Sequence, residues 1–242
     1  MVYAPGTFFG RQSAVLESNN LAEESPIEAV IARFVRAEEQ ARPDWLIDVG
    51  VGNGREARVL RKIWPWIKCL GLEPCPELYE ASRREEWAGI LDSHSNLLLD
   101  IGAWSHPCDC MLYIDSDNPK KSSVCGKTTF YKGARITCRP LDQVCNMHEI
   151  YVRNGIIWCD VEGAELEVLR GAWELFREKQ ILAVNLEVRD VPLFASACSR
   201  AQVEAFLAAF GFACVAEYNF HADSDPHRDA IYLRTDQSKV WL

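Results

Sequence analysis

The chain has no apolar run of about 18 residues or more, so it offers no helix able to cross a bilayer. Positive charge is scarce: 26 Lys and Arg against 35 Asp and Glu leave a net charge of −9. That balance argues against a general nucleic-acid binder, whose affinity rests on cations neutralising phosphates, while leaving room for a small local basic patch. Met1 to Arg11 lack a basic stretch followed by an apolar one, so no secretory signal is expected. Paired cysteine spacing is missing as well. The ten cysteines are scattered, none as CxxC, and the nearest two are Cys108 and Cys110. Zinc sites usually show paired spacing. Without a secretion signal the cysteines read as buried, reduced thiols, and a cytoplasmic location is expected, with a disulfide framework as the alternative. Internal repeats and low-complexity tracts are also absent.

What remains suits one α/β domain with a short extension. Residues 1–43 form the extension. Met1 to Ser25 is polar and aperiodic, an arm or lid. A helix then starts with Ser25 as N-cap and Pro26 at its first position, carries Ile27, Val30, Ile31, Phe34 and Val35 at helical spacing, and ends before Pro43. Residues 44–242 form the domain. Strands are expected at Trp45–Val49, Ile67–Leu72, Leu97–Ile101, Ile156–Val161 and Ile181–Val188, and helices at Gly54–Trp64, Pro76–Trp87, Ala164–Lys179 and Arg200–Phe210. Short strands at Cys110–Ile114, Thr128–Tyr131 and Arg135–Cys138 surround a polar loop, Asp115 to Lys127. Phe212–Tyr218 and Asp229–Arg234 close the chain as a hairpin. Alternating strands and helices imply a mostly parallel sheet with helices on both faces and an antiparallel edge strand. Trp64, Trp66, Trp87 and Trp104 read as packing residues.

Three motifs carry chemistry. Asp48-Val49-Gly50-Val51-Gly52-Asn53-Gly54 follows a strand and opens a helix, where glycines let a ligand approach the backbone. Glu73 ends the next strand, at the spacing at which an acid accepts both hydroxyls of a ribose. The combination fits a dinucleotide or S-adenosylmethionine. The GxGxG spacing, in place of GxGxxG, and the Asp before it favour the methyl donor, since a carboxylate would repel a pyrophosphate. Trp158-Cys159-Asp160-Val161-Glu162-Gly163-Ala164-Glu165 closes a third strand with two carboxylates able to orient a hydroxyl, take its proton or hold a cation. Glu165 reads instead as favouring the start of the next helix. Glu187 and Asp190 end a neighbouring strand and could complete an all-oxygen metal site with Asp160, or serve as a polar rim partnering Arg189. His106, His221 and His227 lie in loops, where a histidine is usually solvated.

From about Trp45 to Val188 the chain resembles the FkbM methyltransferases. The glycine turn matches that family's first motif. Glu73-Pro74-Cys75-Pro76-Glu77-Leu78-Tyr79 is similar to its EPxPxxY segment. Pro140-Leu141-Asp142 is similar to its TLD element, with Pro in place of Thr. Asp160-Val161-Glu162-Gly163-Ala164-Glu165, followed by Leu169, Arg170 and Gly171, is similar to its KIDVEGAExxVLxG stretch, with Trp158 and Cys159 in place of Lys and Ile. The resemblance implies a Rossmann-like class I methyltransferase fold and O-methylation of a sugar, glycan or natural product. It implies that Asp48, Gly50, Gly52 and Asn53 line the methionine part of S-adenosylmethionine, Glu73 and Pro74 the ribose, and Asp100 and Ile101 the adenine. Asp160 would face the sulfonium and the acceptor. Asp160 and Glu162 are then the catalytic pair, and Asp160 with Glu187 would bind Mg²⁺ or another divalent cation if the reaction uses one. Base and metal roles stay open, as do a nicotinamide-dependent oxidoreductase and a non-catalytic binding module on the same fold.

Overall fold

The computed structural model describes residues 42–85, 87–91, 95–126, 131–192, 194–218 and 227–235. The N-terminal arm and the helix expected from Pro26 lie outside them. In chain order the elements are β1 (Trp45–Val49), α1 (Arg55–Ile63), β2 (Lys68–Leu72), α2 (Pro76–Arg84), α3 (Ala88–Leu91), β3 (Leu97–Leu99), β4 (Gly102–Ala103), β5 (Cys108–Asp115), β6 (Tyr131–Arg139), α4 (Leu141–Met147), β7 (Gly155–Cys159), α5 (Glu165–Gly171), α6 (Trp173–Arg177), β8 (Ile181–Arg189), α7 (Arg200–Ala209), β9 (Phe212–Tyr218) and β10 (His227–Arg234). A 3₁₀ turn, Pro119–Lys121, interrupts the loop after β5.

Seven strands form one sheet in the order β3-β2-β1-β7-β8-β10-β9. The first five are parallel, and β10 runs antiparallel to both of its neighbours. The expected Rossmann-like sheet is therefore present, with its antiparallel strand one place in from the edge. Five-residue β1 and β7 are buried along their whole length, as parallel strands covered on both faces must be. One core, built on Ile47, Val49, Ile157 and Val184, packs under α4, α5, α6 and α7. A second, built on Leu46, Ile156, Trp158 and Ile231, holds Leu60 of α1 together with Trp64 and Trp87. Trp66 departs from the packing role, being 44% exposed. No helix among the described residues is long and apolar enough to cross a membrane.

The register of the strands sets where the chain's chemistry falls. Leu99 pairs with Leu72, Leu72 with Val49, Val49 with Cys159, and Cys159 with Leu186. The next residue of each strand or loop therefore lies at one edge: Asp100, Glu73, Gly50, Asp160 and Glu187. Hydrogen bonds continue the row, from Gly50 N to Leu72 O (2.9 Å), Asp160 N to Val49 O (3.0 Å) and Glu73 N to Leu99 O (3.0 Å). A separate sheet in the order β4-β6-β5 branches off directly beyond β3. The expected strand Leu97–Ile101 thus ends early, and its continuation joins another sheet.

One expected helix ends early and another is broken in two. The segment expected as one helix over Pro76–Trp87 ends at Arg84, and α3 begins only at Ala88. The Ala164–Lys179 segment divides at Ala172, and beside the break Gly171 packs so closely on the carbonyl of Trp104 that a Cβ there would overlap it. Helix α4 begins where Pro140, fixed in φ, precedes Leu141. Its Asp142 accepts N–H bonds from Glu174 (2.8 Å) and Leu175 (3.1 Å), satisfying donors at the start of α6. Asp142 thus joins helices and does not reach the ligand edge.

Phe176 of α6 sits at the centre of an aromatic cluster, with ring centroids 5.5 Å from Phe206, 5.4 Å from Phe210 and 5.5 Å from Phe212. It is 1% exposed. Phe176→Ala removes the ring that ties α6, α7 and β9 together and is expected to cost about 3–5 kcal/mol of unfolding free energy. Urea denaturation measures this; a loss under about 1 kcal/mol would show that the three remaining rings collapse into the space.

Candidate functional site

A cleft of about 940 Å³, its open mouth included, lies along the carboxyl edge of the sheet. Its walls come from four places: the glycine turn after β1, the segment Leu72 to Cys75 after β2, the end of β7, and the small sheet with the loop beyond β5.

The glycine turn is built by backbone conformation. Gly50 and Gly52 hold φ of +82° and +57°, which residues with a Cβ rarely adopt. At Gly50 a Cβ would also collide with the backbone carbonyl of Asp160. Glu73 clamps this turn from the next strand. Its carboxylate accepts N–H bonds from Gly52 and from Cys75, both at 2.8 Å. Ser82 of α2 donates to the Gly52 carbonyl at 2.6 Å. Burial pushes the Glu73 carboxyl up to about 7, against the pull of its two N–H donors.

Asn53, Glu73 and Pro74 line the cleft with Gly50 and Gly52, as expected. Asp48 does not line it. It is 1% exposed, and neither carboxylate oxygen has a hydrogen-bond partner among the described residues. Burial, then repulsion from Glu56 and Glu73, raises its pKa well above the ordinary range. The reason is the alternation of β1: Asp48 pairs in register with Trp158, away from the row's end. Asp100 is exposed and Ile101 packs against the core, and neither lines the cleft. Their successors Gly102 and Ala103 do, because the chain turns there into β4.

Asp160 follows β7 at the floor of the cleft and is exposed to it. The protein packed around it raises its pKa well above the ordinary carboxylate value, with further repulsion from Glu187, Glu162, Asp229 and Glu165. Water reaching its open face moderates the first effect but leaves the like charges in place. Carboxylate oxygens of Asp160, Glu162 and Glu187 lie within 4.8 Å of one another. Asp190 is exposed and outside this group. Arg189 Nη2 is 2.7 Å from Glu187 and 3.8 Å from Glu162. Glu162 has φ +52°, uncommon for a side chain of its size, and Ser123 donates to its carbonyl at 2.7 Å. Burial and Glu187 push its carboxyl up to about 7, while Arg189 and Lys121 pull it down. Glu165, 3% exposed, accepts from Gly163 N at 3.0 Å and so holds the turn before α5.

The small sheet was legible as short strands but not as a wall. Leu112, Ile136 and Cys138 face the cleft, and the polar loop after β5 supplies Pro119, Lys120, Ser122 and Val124. Trp104 joins them while also packing against the small sheet's core, as expected. Glu56 lines the cleft from the first turn of α1. Its position one turn after the glycines was the only sequence signal for it. His106 is exposed and lies 3.1 Å from the Ser105 hydroxyl. His221 and the side chain of His227 lie outside the described residues.

Residues 48–214 match the methyltransferase FkbM domain. Among solved structures, methyltransferase FkbM from Methylobacillus flagellatus KT is 15% identical, with 79% of this chain and 44% of that one covered and a TM-score of 0.52. This chain thus spans less than half the length of that relative. Magnesium protoporphyrin IX methyltransferase from Synechocystis PCC 6803 with bound SAM is 10% identical, over 86% of this chain and 78% of that one, at a TM-score of 0.48. Precorrin-6y C5,15-methyltransferase from Geobacter metallireducens GS-15 is 10% identical, over 92% and 94%, at 0.46. No curated protein matches the chain.

The raised carboxyls make stability depend on pH in a defined direction. Glu73 and Glu162 move from an ordinary value of 4.5 to about 7 on folding. A raised acid stabilises fully below its unfolded pKa, and that contribution is lost as pH climbs through the folded value. Between pH 4.5 and 7 both groups therefore favour unfolding as pH rises. Glu162→Gln, which cannot ionise, should gain stability relative to the wild type between pH 5 and 8 in urea titrations. A relative loss over that interval would mean that attraction to Arg189 outweighs burial.

Proposed function

Since the chain belongs to the FkbM methyltransferase family, we propose that it is an O-methyltransferase moving a methyl group from S-adenosylmethionine to a hydroxyl of a sugar, glycan or other natural product. The observation that carries this reading is the row of Gly50, Glu73 and Asp160 on one cleft. The residues present fit the donor. Gly50 and Gly52 leave the backbone open to a methionine chain, with Asn53 and Glu56 beside them. Glu73 retains lone pairs for ribose hydroxyls, and Leu78, Leu112 and Ile136 offer apolar surface for a purine. Bound there, the donor supplies an activated methyl group on a sulfonium. A nicotinamide-dependent oxidoreductase is set aside by the family.

The chain's own residues then do two things. The glycine turn and its Glu73 clamp hold one reactant in place, which converts an encounter into a positioned displacement. Asp160, at the floor of the same cleft, accepts the proton of the acceptor hydroxyl. Burial and the neighbouring carboxylates raise its pKa, which strengthens it as a base. Arg189 favours the ionised form of Glu162 and pairs with Glu187, and Glu162 assists at the acceptor side. A second reading rests on the clustered oxygens of Asp160, Glu162 and Glu187, a donor set suited to Mg²⁺ or another hard divalent cation. Arg189 already places a positive charge on Glu187, so such an ion would have to displace that pairing. We assign residues 44–242 to the catalytic domain and 1–43 to an N-terminal extension, a lid or a sheet cover. We place the reaction in the cytoplasm, in keeping with ten free cysteines.

The donor assignment is tested by thermal shift and calorimetry. S-adenosylhomocysteine should raise the melting temperature and a nicotinamide dinucleotide should not. Glu73→Ala should weaken S-adenosylhomocysteine binding by about 1–3 kcal/mol, the value of the lost ribose hydrogen bonds. Unchanged affinity in a folded variant would put the nucleoside elsewhere.

The base assignment is tested on acceptors identified by a gain of one methyl group in mass spectrometry. Asp160→Asn should lower kcat by about 10²–10⁴-fold with little change in donor affinity. Activity indifferent to EDTA supports the base. Activity lost to EDTA and restored by Mg²⁺ or Mn²⁺ supports the cation. Wild-type turnover in Asp160→Asn would remove both.

A further inference from the structure

The opposite, amino-terminal end of the sheet carries a second pocket, lined by Arg42, Asp44, Trp45, Lys68, Tyr151, Arg153 and Asn154. Three of these seven residues are cations, in a chain whose net charge is −9. None of the three has a carboxylate within ion-pair distance among the described residues, although opposite charges usually find one another on an acidic surface. Asp44 is the pocket's one acid, and it is turned to another use. Its two oxygens accept the backbone N–H groups of Arg153 (3.0 Å) and Asn154 (2.9 Å), fixing the start of β7 against the start of β1.

The pocket is held rigidly. Asn154 Nδ2 donates to the Arg42 carbonyl at 3.1 Å, and Trp66 Nε1 donates to the Pro43 carbonyl at 3.0 Å. The Arg42 guanidinium stacks 3.6 Å from the centre of the Trp66 ring, and Lys68 Nζ lies 5.4 Å from that of Trp45. These contacts orient two of the cations without neutralising them. Arg42, Lys68 and Arg153 are exposed, and Tyr151 is 80% exposed, so a bare aromatic ring stands beside the charges.

We propose that this pocket is a second ligand site that takes the phosphoryl group of a sugar phosphate. Guanidinium forks and an ammonium match phosphate oxygens in charge and in donor geometry. Tyr151, with its apolar face free, supplies a surface for the sugar ring. The six steps from Asp44 to Gly50 along β1 separate the pocket from the cleft by about 20 Å. The two sites therefore fill independently, and the proposal does not rest on the methyl-transfer reading.

Calorimetry on the full chain with glucose 1-phosphate, inorganic phosphate and glucose tests this. Glucose 1-phosphate should bind about tenfold or more tighter than inorganic phosphate, glucose should not bind, and added salt should weaken the interaction. The double variant Lys68→Met/Arg153→Met changes two exposed side chains. It should lose about tenfold or more in sugar phosphate affinity while keeping the wild-type melting temperature and S-adenosylhomocysteine binding. Absence of binding by both phosphates, undiminished binding in the double variant, or displacement of the sugar phosphate by S-adenosylhomocysteine would each overturn the site. Inorganic phosphate binding as tightly as glucose 1-phosphate would overturn the assignment to a saccharide.

Discussion

One row of backbone pairing organises this molecule. Leu99, Leu72, Val49, Cys159 and Leu186 stand side by side across five parallel strands, and the chain leaves the sheet at the next residue on most of them. Because side chains alternate with period two, a slip of one residue in any pair would turn the affected strand inside out and move its terminal residue out of line. The fully buried β1 and β7 do not tolerate that, so the same hydrophobic burial that stabilises the sheet also aligns Gly50, Glu73 and Asp160. The site is a consequence of register before it is a consequence of side-chain chemistry.

That alignment has an electrostatic cost. Glu73, Asp160 and Glu187 are carboxylates on one edge, and Asp229 of β10 pairs with Glu187. Nothing in the packing removes the repulsion, so the protein distributes it. Glu73 is met by two backbone donors, and Glu162 and Glu187 by Arg189. Among the described residues Asp160 receives no such partner, and it keeps an open face toward the cleft. An unneutralised carboxylate at the ligand edge is a strained ground state, and such groups gather at functional sites. Asp48 takes the other course: it is buried whole, without a hydrogen-bond partner among the described residues, and burial raises its pKa well above the ordinary range.

The small sheet gives the cleft its fourth wall. Without β5 and β6 the glycine turn and Glu73 would face solvent across an open edge. With them, Leu112, Ile136 and Cys138 lie across from the turn, and the loop beyond β5 brings Lys120 and Ser122 to the rim. The same loop reaches Glu162 through Ser123, so the wall of the cleft and the acidic group are mechanically one unit.

The sequence by itself determined the strand and helix alternation, the glycine turn, Glu73 at the end of β2 and the paired acids after β7. Each of these is local: periodicity, a turn that needs positive φ, or a spacing set by one βαβ unit. Only the tertiary structure decided the rest. It turned Asp48 away from the cleft, because the direction of a side chain on β1 depends on register with β2 and β7. It moved the expected place of Asp100 and Ile101 to Gly102 and Ala103, because β4 pairs with a strand about 30 residues further along the chain. It put Arg189 against Glu162, and it gathered Arg42, Lys68 and Arg153 around one pocket at the other end of the sheet. Contacts between residues so distant in sequence leave no periodic trace. Only the packing of buried strands brings them together.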